Sequence, residues 1–212
     1  MRVAIIIPAH NEAATIARVV SGVIPYGTPI VVDDASRDGT GGEARRAGAV
    51  VVHHPVNLGY DGALESGFAE AARIGAEAVV TLDADGQHDP ATVPQLLGPI
   101  ERGEADLVLG IRPRAARASE WVFNVYTLVR FGVPDILCGL KAYNMSLYAQ
   151  HGRFGRTGAI GTELALVGLA RGVRFQTVAV PIAPREGASR FGSSLRANVL
   201  ILRALGRSLW LR

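Results

Sequence analysis

Five short apolar runs, at 3–7, 30–32, 50–52, 78–82 and 107–109, alternate with stretches of helical periodicity at 12–21, 41–47, 59–75 and 90–102. Runs that are apolar on both faces suit strands of a parallel sheet covered by helices on either side. The first half is therefore expected to be a doubly wound, mostly parallel α/β layer. Helix starts agree with this: Asn11-Glu12 follows Pro8, Asp38-Gly39-Thr40 follows the second run, and Asp89-Pro90 puts proline at a first helical position. After Gly110 the pattern changes to a longer helix at 119–130, a segment at 135–148, a strand-like run at 173–182, a polar Gly-rich loop at 183–194 and a closing amphipathic helix at 195–211. No repeat, low-complexity stretch or linker divides the chain, so 1–212 reads as one domain.

With 212 residues, 49% of them hydrophobic and 19% charged, the chain can bury a sizeable core, which excludes disorder. Its single cysteine, Cys138, excludes an internal disulfide and reads as a small core residue. The N-terminus looks like a strand entering a turn rather than a signal peptide, and the expected compartment is the cytoplasm. Charge is divided unequally. Residues 1–110 carry 7 Arg against 15 Asp and Glu, net −8, whereas 111–212 carry 15 Arg and Lys against 4 acids, net +11. An acidic first half suits metal binding, and an arginine-rich second half suits phosphates or an anionic surface. Nucleic acid is disfavoured as a partner, because the basic residues are not interleaved with stacking aromatics.

The segment from Val79 to Pro90 carries the most chemistry. An apolar strand delivers Asp83, Asp85 and Gln87, oxygen donors at i, i+2 and i+4, to its carboxyl end. Hard cations such as Mg²⁺ or Mn²⁺ take such donors while also binding phosphates. The alternative is a solvated acidic turn closed by Pro90. Ligands of open α/β sheets bind at the carboxyl ends of strands, which favours a site. Pro8-Ala9-His10-Asn11-Glu12 and Val31-Val32-Asp33-Asp34 end the first two strands at the same edge. Asp34 is expected to meet a nucleobase, whereas Asp38 reads as a helix cap.

These three clusters, in this order and each after a strand, resemble the family 2 glycosyltransferases of GT-A fold. Ile5 to Glu12 is similar to that family's first motif, Val32 to Thr40 to its base motif, and Asp83-Ala84-Asp85-Gly86-Gln87-His88 to the metal motif of its polyprenyl-phosphate branch. Asn57-Leu58-Gly59-Tyr60-Asp61-Gly62-Ala63 resembles a segment between the second and third motifs. Asp135 to Lys141 looks like the branch's Asp-x-x-Ser-Gly-Phe-Arg, with Cys138, Leu140 and Lys141 substituted. Arg185-Glu186-Gly187-Ala188-Ser189-Arg190 is similar to a late phosphate-contacting pattern, but is one residue shorter and has arginine where lysine is usual. The resemblance implies donor contacts from Pro8, His10, Glu12, Val32, Asp34, Asp83, Ala84, Asp85 and Arg112, with the metal on Asp83, Asp85 and Gln87. Asp85, Arg112, Arg185, Arg190 and Asp135 are then the catalytic set, with Arg114 the alternative to Arg112 on the leaving diphosphate.

The reaction so implied moves a hexose, with inversion, from a nucleoside-diphosphate sugar to a polyprenyl phosphate, with GDP-mannose ahead of UDP-glucose as donor. A phosphate monoester is largely a dianion at neutral pH, with a second pKa of ~6, and needs no strong base. A soluble or saccharide hydroxyl acceptor, the alternative, needs one, and Asp135 is its first candidate; for Asp135 a structural pairing with arginine stands beside that role. A catalytically silent nucleotide-sugar-binding protein is the rival from another class. A dinucleotide oxidoreductase is disfavoured, since no Gly-x-Gly-x-x-Gly follows the first strand. No run of ~18 apolar residues exists to span a bilayer. Helix 119–130 is read either as buried or as lying in a membrane interface, and a peripheral contact on the inner face of the membrane is a further expected partner.

Overall fold

The computed structural model describes residues 1–113, 118–155 and 160–183, together with 201, 203, 205 and 206. Seven strands form one sheet: β1 (Val3–Ala9), β2 (Thr28–Asp33), β3 (Val50–His53), β4 (Ala78–Thr81), β5 (Leu107–Ile111), β6 (Lys141–Asn144) and β7 (Phe175–Ala179). Their order is β3-β2-β1-β4-β6-β5-β7, and six run parallel while β6 is reversed between β4 and β5. Every residue of β1 and β4 is buried, as the apolar runs require. Alternate side chains serve opposite layers. Ile5, Ile7 and Val80 pack on one face with α1 (Ile16–Val23) and α4 (Val93–Glu101). Ile6, Ile30 and Val79 pack on the other with Leu64 and Phe68 of α3 (Gly59–Arg73), Phe123 of α5 (Ala118–Phe131) and Leu164 of α7 (Glu163–Ala170). The mostly parallel sheet flanked by helices is the expected architecture, and strands from both halves of the chain share it.

Three local readings change. The helix expected from residue 12 begins at Ile16, because the backbone turns at 12–15, where Thr15 and Ile16 N–H donate to the Glu12 carbonyl. The helix expected at 90–102 splits into a 3₁₀ turn, Pro90–Thr92, and α4, since Pro94 follows its first residue and starts a new segment. Segment 135–148 holds the reversed strand β6 and then α6 (Met145–His151), whose cap is Asn144 Oδ1 accepting from Ser146 N at 2.9 Å. Between β2 and β3 lies α2 (Thr40–Arg46), whose N-cap is Gly39 rather than the expected Asp38; the Asp38 carboxylate instead joins Thr40 N at 3.1 Å to Ala13 N at 3.0 Å. The reversal of β6 matters for function: its first residue, Lys141, pairs with Thr81 and Leu109 and so lies toward the edge where the parallel strands finish.

α5 is inverted relative to an ordinary surface helix. Ser119, Glu120, Asn124 and Thr127 are buried with Phe123, while Trp121, Val122, Val125, Leu128 and Val129 are exposed, Val129 by 83%. Polar partners hold the inner face: Thr127 Oγ1 donates to the Val133 carbonyl at 2.9 Å, and Glu120 accepts from Arg112 at 3.0 Å. The helix is therefore seated on the domain by one face and exposes an apolar face on the other. Arg114, the closing helix at 195–211 and the loop carrying Arg185 and Arg190 lie outside the described residues, except Ala183, Ile201, Arg203, Leu205 and Gly206.

Candidate active site

A cavity of about 300 Å³ opens at the carboxyl edge of the parallel strands, in the range of small-molecule sites. Pro8, Ala9 and His10 from the end of β1, Asp34 from β2, Asp83 and Asp85 after β4, Tyr60 from α3, and Gly139, Lys141 and Ile160 from the second half all line it. The three sequence clusters thus converge on one space. Backbone strain marks the same place. The non-glycine residues at positive φ among the described residues are Asn11, Ala35 and Ile160, two of them next to lining residues and the third itself lining the cavity.

Asp34 is 4% exposed, and its carboxylate is already occupied from within. It accepts from His54 Nδ1 at 2.7 Å and from the backbone N–H of Leu58 and Gly59, each at 2.8 Å. Its carbonyl accepts from His10 Nδ1 at 2.7 Å and Asn57 Nδ2 at 3.2 Å. Because a carbonyl only accepts, His10 carries its proton on Nδ1. Asp34 therefore shapes the 54–59 loop around the cavity, and lines it as well. His54, expected to be a surface or packing residue, is the buried bridge from Asp34 to Ser66 Oγ at 2.9 Å, whereas neighbouring His53 is exposed as expected.

At the tip of β4, Asp85 is 6% exposed and accepts from Gln87 N at 3.1 Å, while the Ala84 carbonyl accepts from Thr15 Oγ1 at 2.7 Å. Asp83 accepts from Tyr60 Oη at 2.9 Å, and His88 Nε2 stands 3.5 Å from its other oxygen. A Cβ on residue 139 would fall 2.2 Å from Asp83 Oδ2, so only glycine allows the carboxylate this position. Gln87 donates its side-chain N–H to the Ala183 carbonyl at 3.2 Å, leaving the amide oxygen as its acceptor end. Among the described residues no three acidic, histidine or cysteine side chains gather into a closed metal cage. Two carboxylates lining a cavity large enough for phosphates fit an open Mg²⁺ or Mn²⁺ site, in which the substrate completes the coordination. Glu12 is buried beside Thr15, and Val32 packs in the core, so neither lines the cavity.

Arg112 and Asp135 meet each other rather than the cavity. Arg112 Nε and Nη2 form a fork on Asp135 at 2.7 and 2.9 Å, and Nη2 also reaches Glu120 at 3.0 Å. Burial works against both charges, but each stabilises the other: Asp135 is held below the ordinary carboxylate range and Arg112 is raised. This is the pairing with arginine that the sequence reading set beside the base role of Asp135, and it places both side chains outside the cavity lining. Together they seat α5 at the strand edge.

Three contributors escaped sequence reading. Tyr60 orients Asp83. Asp61, beside it, accepts from the backbone N–H of Ile160 at 3.1 Å and of Gly161, pinning a strap across the cavity wall. Burial raises the Asp61 carboxyl above its ordinary value despite those bonds, and the Glu163 charge adds to the effect. Lys141, 3% exposed, donates to the carbonyls of Cys138 and Gly161. Burial holds its ammonium below the ordinary lysine value. The Asp-Gly pair at 61–62 and the reversed strand were the available signals; contact between 61 and 161 was not readable from either.

A family model described as glycosyl transferase family 2 matches residues 4–158. An undecaprenyl-phosphate mannosyltransferase of Micrococcus luteus is 33% identical over 163 residues, 68% of this chain and 66% of that protein. An uncharacterised glycosyltransferase of Mycobacterium tuberculosis is 30% identical over 211 residues, 94% of each chain. Among solved structures, glucosyl-3-phosphoglycerate synthase from Mycobacterium tuberculosis, in complex with Mn²⁺ and UDP-glucose, superposes with a TM-score of 0.78 at 25% identity, over 98% of this chain and 79% of that one. The chain thus spans about two thirds of the length of the mannosyltransferase it resembles. With the motif clusters lining one cavity and the family model covering most of the sequence, the chain belongs to glycosyl transferase family 2.

Proposed function

We propose that the chain is a metal-dependent, inverting transferase that moves a hexose from a nucleoside-diphosphate sugar, GDP-mannose before UDP-glucose, to a polyprenyl phosphate. The observation that carries this reading is the pair Asp83 and Asp85 on the wall of the strand-edge cavity that Asp34 also lines. Asp83, Asp85 and Gln87 would hold Mg²⁺ or Mn²⁺, which when bound neutralises the leaving diphosphate. Pro8, His10 and Asp34 line the part of the cavity assigned to the nucleoside, and Ala84 presents its backbone to Thr15 rather than to the ligand. Arg185 and Arg190 are assigned to the acceptor phosphate. A dianionic acceptor attacks without a protein base, which agrees with an Asp135 spent on Arg112.

The mannosyltransferase relative supports the lipid acceptor, and α5 supplies a surface for it. Its exposed Trp121, Val122, Val125, Leu128 and Val129 lie in a half of net charge +11, the combination that suits an anionic bilayer surface such as the inner face of the cell membrane. No helix among the described residues is long and apolar enough to cross a membrane, so the contact proposed is peripheral. The likeness to the phosphoglycerate-utilising synthase favours a second reading, a soluble acceptor on the same donor half. A donor screen that follows nucleoside diphosphate release from GDP-mannose, UDP-glucose and UDP-GlcNAc, with polyprenyl phosphate or with 3-phosphoglycerate, separates the two. Release dependent on polyprenyl phosphate is expected; release with phosphoglycerate alone establishes the second reading instead.

A further inference from the structure

Lys141 is the chain's sole lysine beside 21 arginines, and it lines the cavity. Of the described lining residues it is the one lysine or arginine, set among the carboxylates of Asp34, Asp83 and Asp85. It is 3% exposed. An ammonium carries three N–H donors, and two of them meet neutral carbonyls, those of Cys138 and, at 3.4 Å, Gly161. Neither carbonyl cancels its charge; burial works against the ammonium, and the Asp135 and Asp83 charges favour it through space. Arg112, the nearest guanidinium by sequence expectation, is spent on Asp135 and Glu120.

We infer that Lys141 is the phosphate-receiving residue of this cavity, its remaining N–H directed to an oxygen of the ligand's phosphate. The inference rests on the transferase reading and deepens it. The phosphate belongs either to the donor diphosphate or to the acceptor monophosphate, and the chemistry at Nζ is the same: a charge-assisted hydrogen bond from the N–H that the two carbonyls leave. The two carbonyls act as guides, holding the stem straight so that the head faces the cavity. Gly161, pinned by Asp61, carries one of them, which ties the strap to the cation.

Because the chain has one lysine, isotope-labelled lysine gives a single side-chain resonance in the intact wild-type protein. Its response to GDP, guanosine and farnesyl phosphate, each with Mg²⁺, is the first measurement. Calorimetry of Lys141→Met and Lys141→Arg with the same three ligands is the second. The signal is expected to shift with GDP or with farnesyl phosphate and to stay still with guanosine. Lys141→Met is expected to lose roughly tenfold or more in affinity for whichever phosphate ligand moved the signal, with guanosine unchanged and partial recovery in Lys141→Arg. A shift with GDP assigns the phosphate to the donor, and one with farnesyl phosphate assigns it to the acceptor. A resonance indifferent to both phosphates while wild type binds them overturns the inference. Equal loss of GDP and guanosine in Lys141→Met also overturns it, since that is the mark of a wall staple. Wild type that binds neither GDP nor UDP overturns the transferase reading itself.

Discussion

Asp34 holds three N–H groups of one loop, so its removal reaches the fold as well as the ligand. Asp34→Ala strands the Leu58 and Gly59 N–H groups and is expected to lower stability by roughly 1–3 kcal/mol, measured by chemical denaturation, alongside weaker nucleotide binding. An unchanged denaturation midpoint with binding lost would return Asp34 to the simple base contact that the sequence suggested. Arg112 makes a sharper case. Arg112→Met removes the guanidinium from buried Asp135 and Glu120, at an expected cost of roughly 3–5 kcal/mol. The pH dependence follows from the direction of the Asp135 shift. Its folded value lies below the ordinary 3.8, so its stabilisation is complete above that value and is lost as pH falls through the lower folded one. Without the guanidinium, the residue 112 N–H and the Lys141 charge are left to oppose burial at Asp135, and acid unfolding should begin at higher pH than in the wild type. Acid titrations that coincide for the two proteins would show that the pair contributes nothing.

At the scale of elements, α5 is the test of membrane contact. Leu128→Asp and Val125→Asp replace exposed side chains, so each is expected to leave the thermal midpoint within about 1 kcal/mol of wild type in stability. Binding to anionic vesicles should fall severalfold, with the Trp121 fluorescence shift lost. Vesicle binding equal to wild type, or a dimer in sedimentation that these variants break, would assign the face to something other than lipid. The same helix shows what a sequence can and cannot disclose. Its apolar residues at 121, 122, 125, 128 and 129 were plain, but which face turns inward depended on Glu120 meeting Arg112, a contact no periodicity reports. Strands β1 to β5 were legible because both faces are apolar. β6 was not, because four residues in the middle of a sheet carry no signal for direction, and with it Lys141 was passed over. α7, buried nearly all round, likewise has no stripe to read.

For the whole molecule, the donor half was the readable part: its residues sit on strand ends, and a parallel sheet sends every strand end to one edge. The acceptor half was harder, since its site depends on loops and a reversed strand that meet the first half through Asp61, Tyr60 and Arg112. Arg185 and Arg190 keep their sequence-based assignment to the acceptor phosphate, outside the described residues. The measurement nearest the central proposal is transfer of radiolabelled mannose from GDP-mannose to polyprenyl phosphate in vesicles, for the wild type with Mg²⁺, the wild type in EDTA, and Asp85→Ala. The account predicts an organic-extractable, acid-labile glycolipid with the wild type and metal, and at least a hundredfold less in the other two arms, on the order expected when electrostatic stabilisation of a leaving group is removed. Label that stays in the aqueous phase, or glycolipid formed equally in EDTA and by Asp85→Ala, would contradict it.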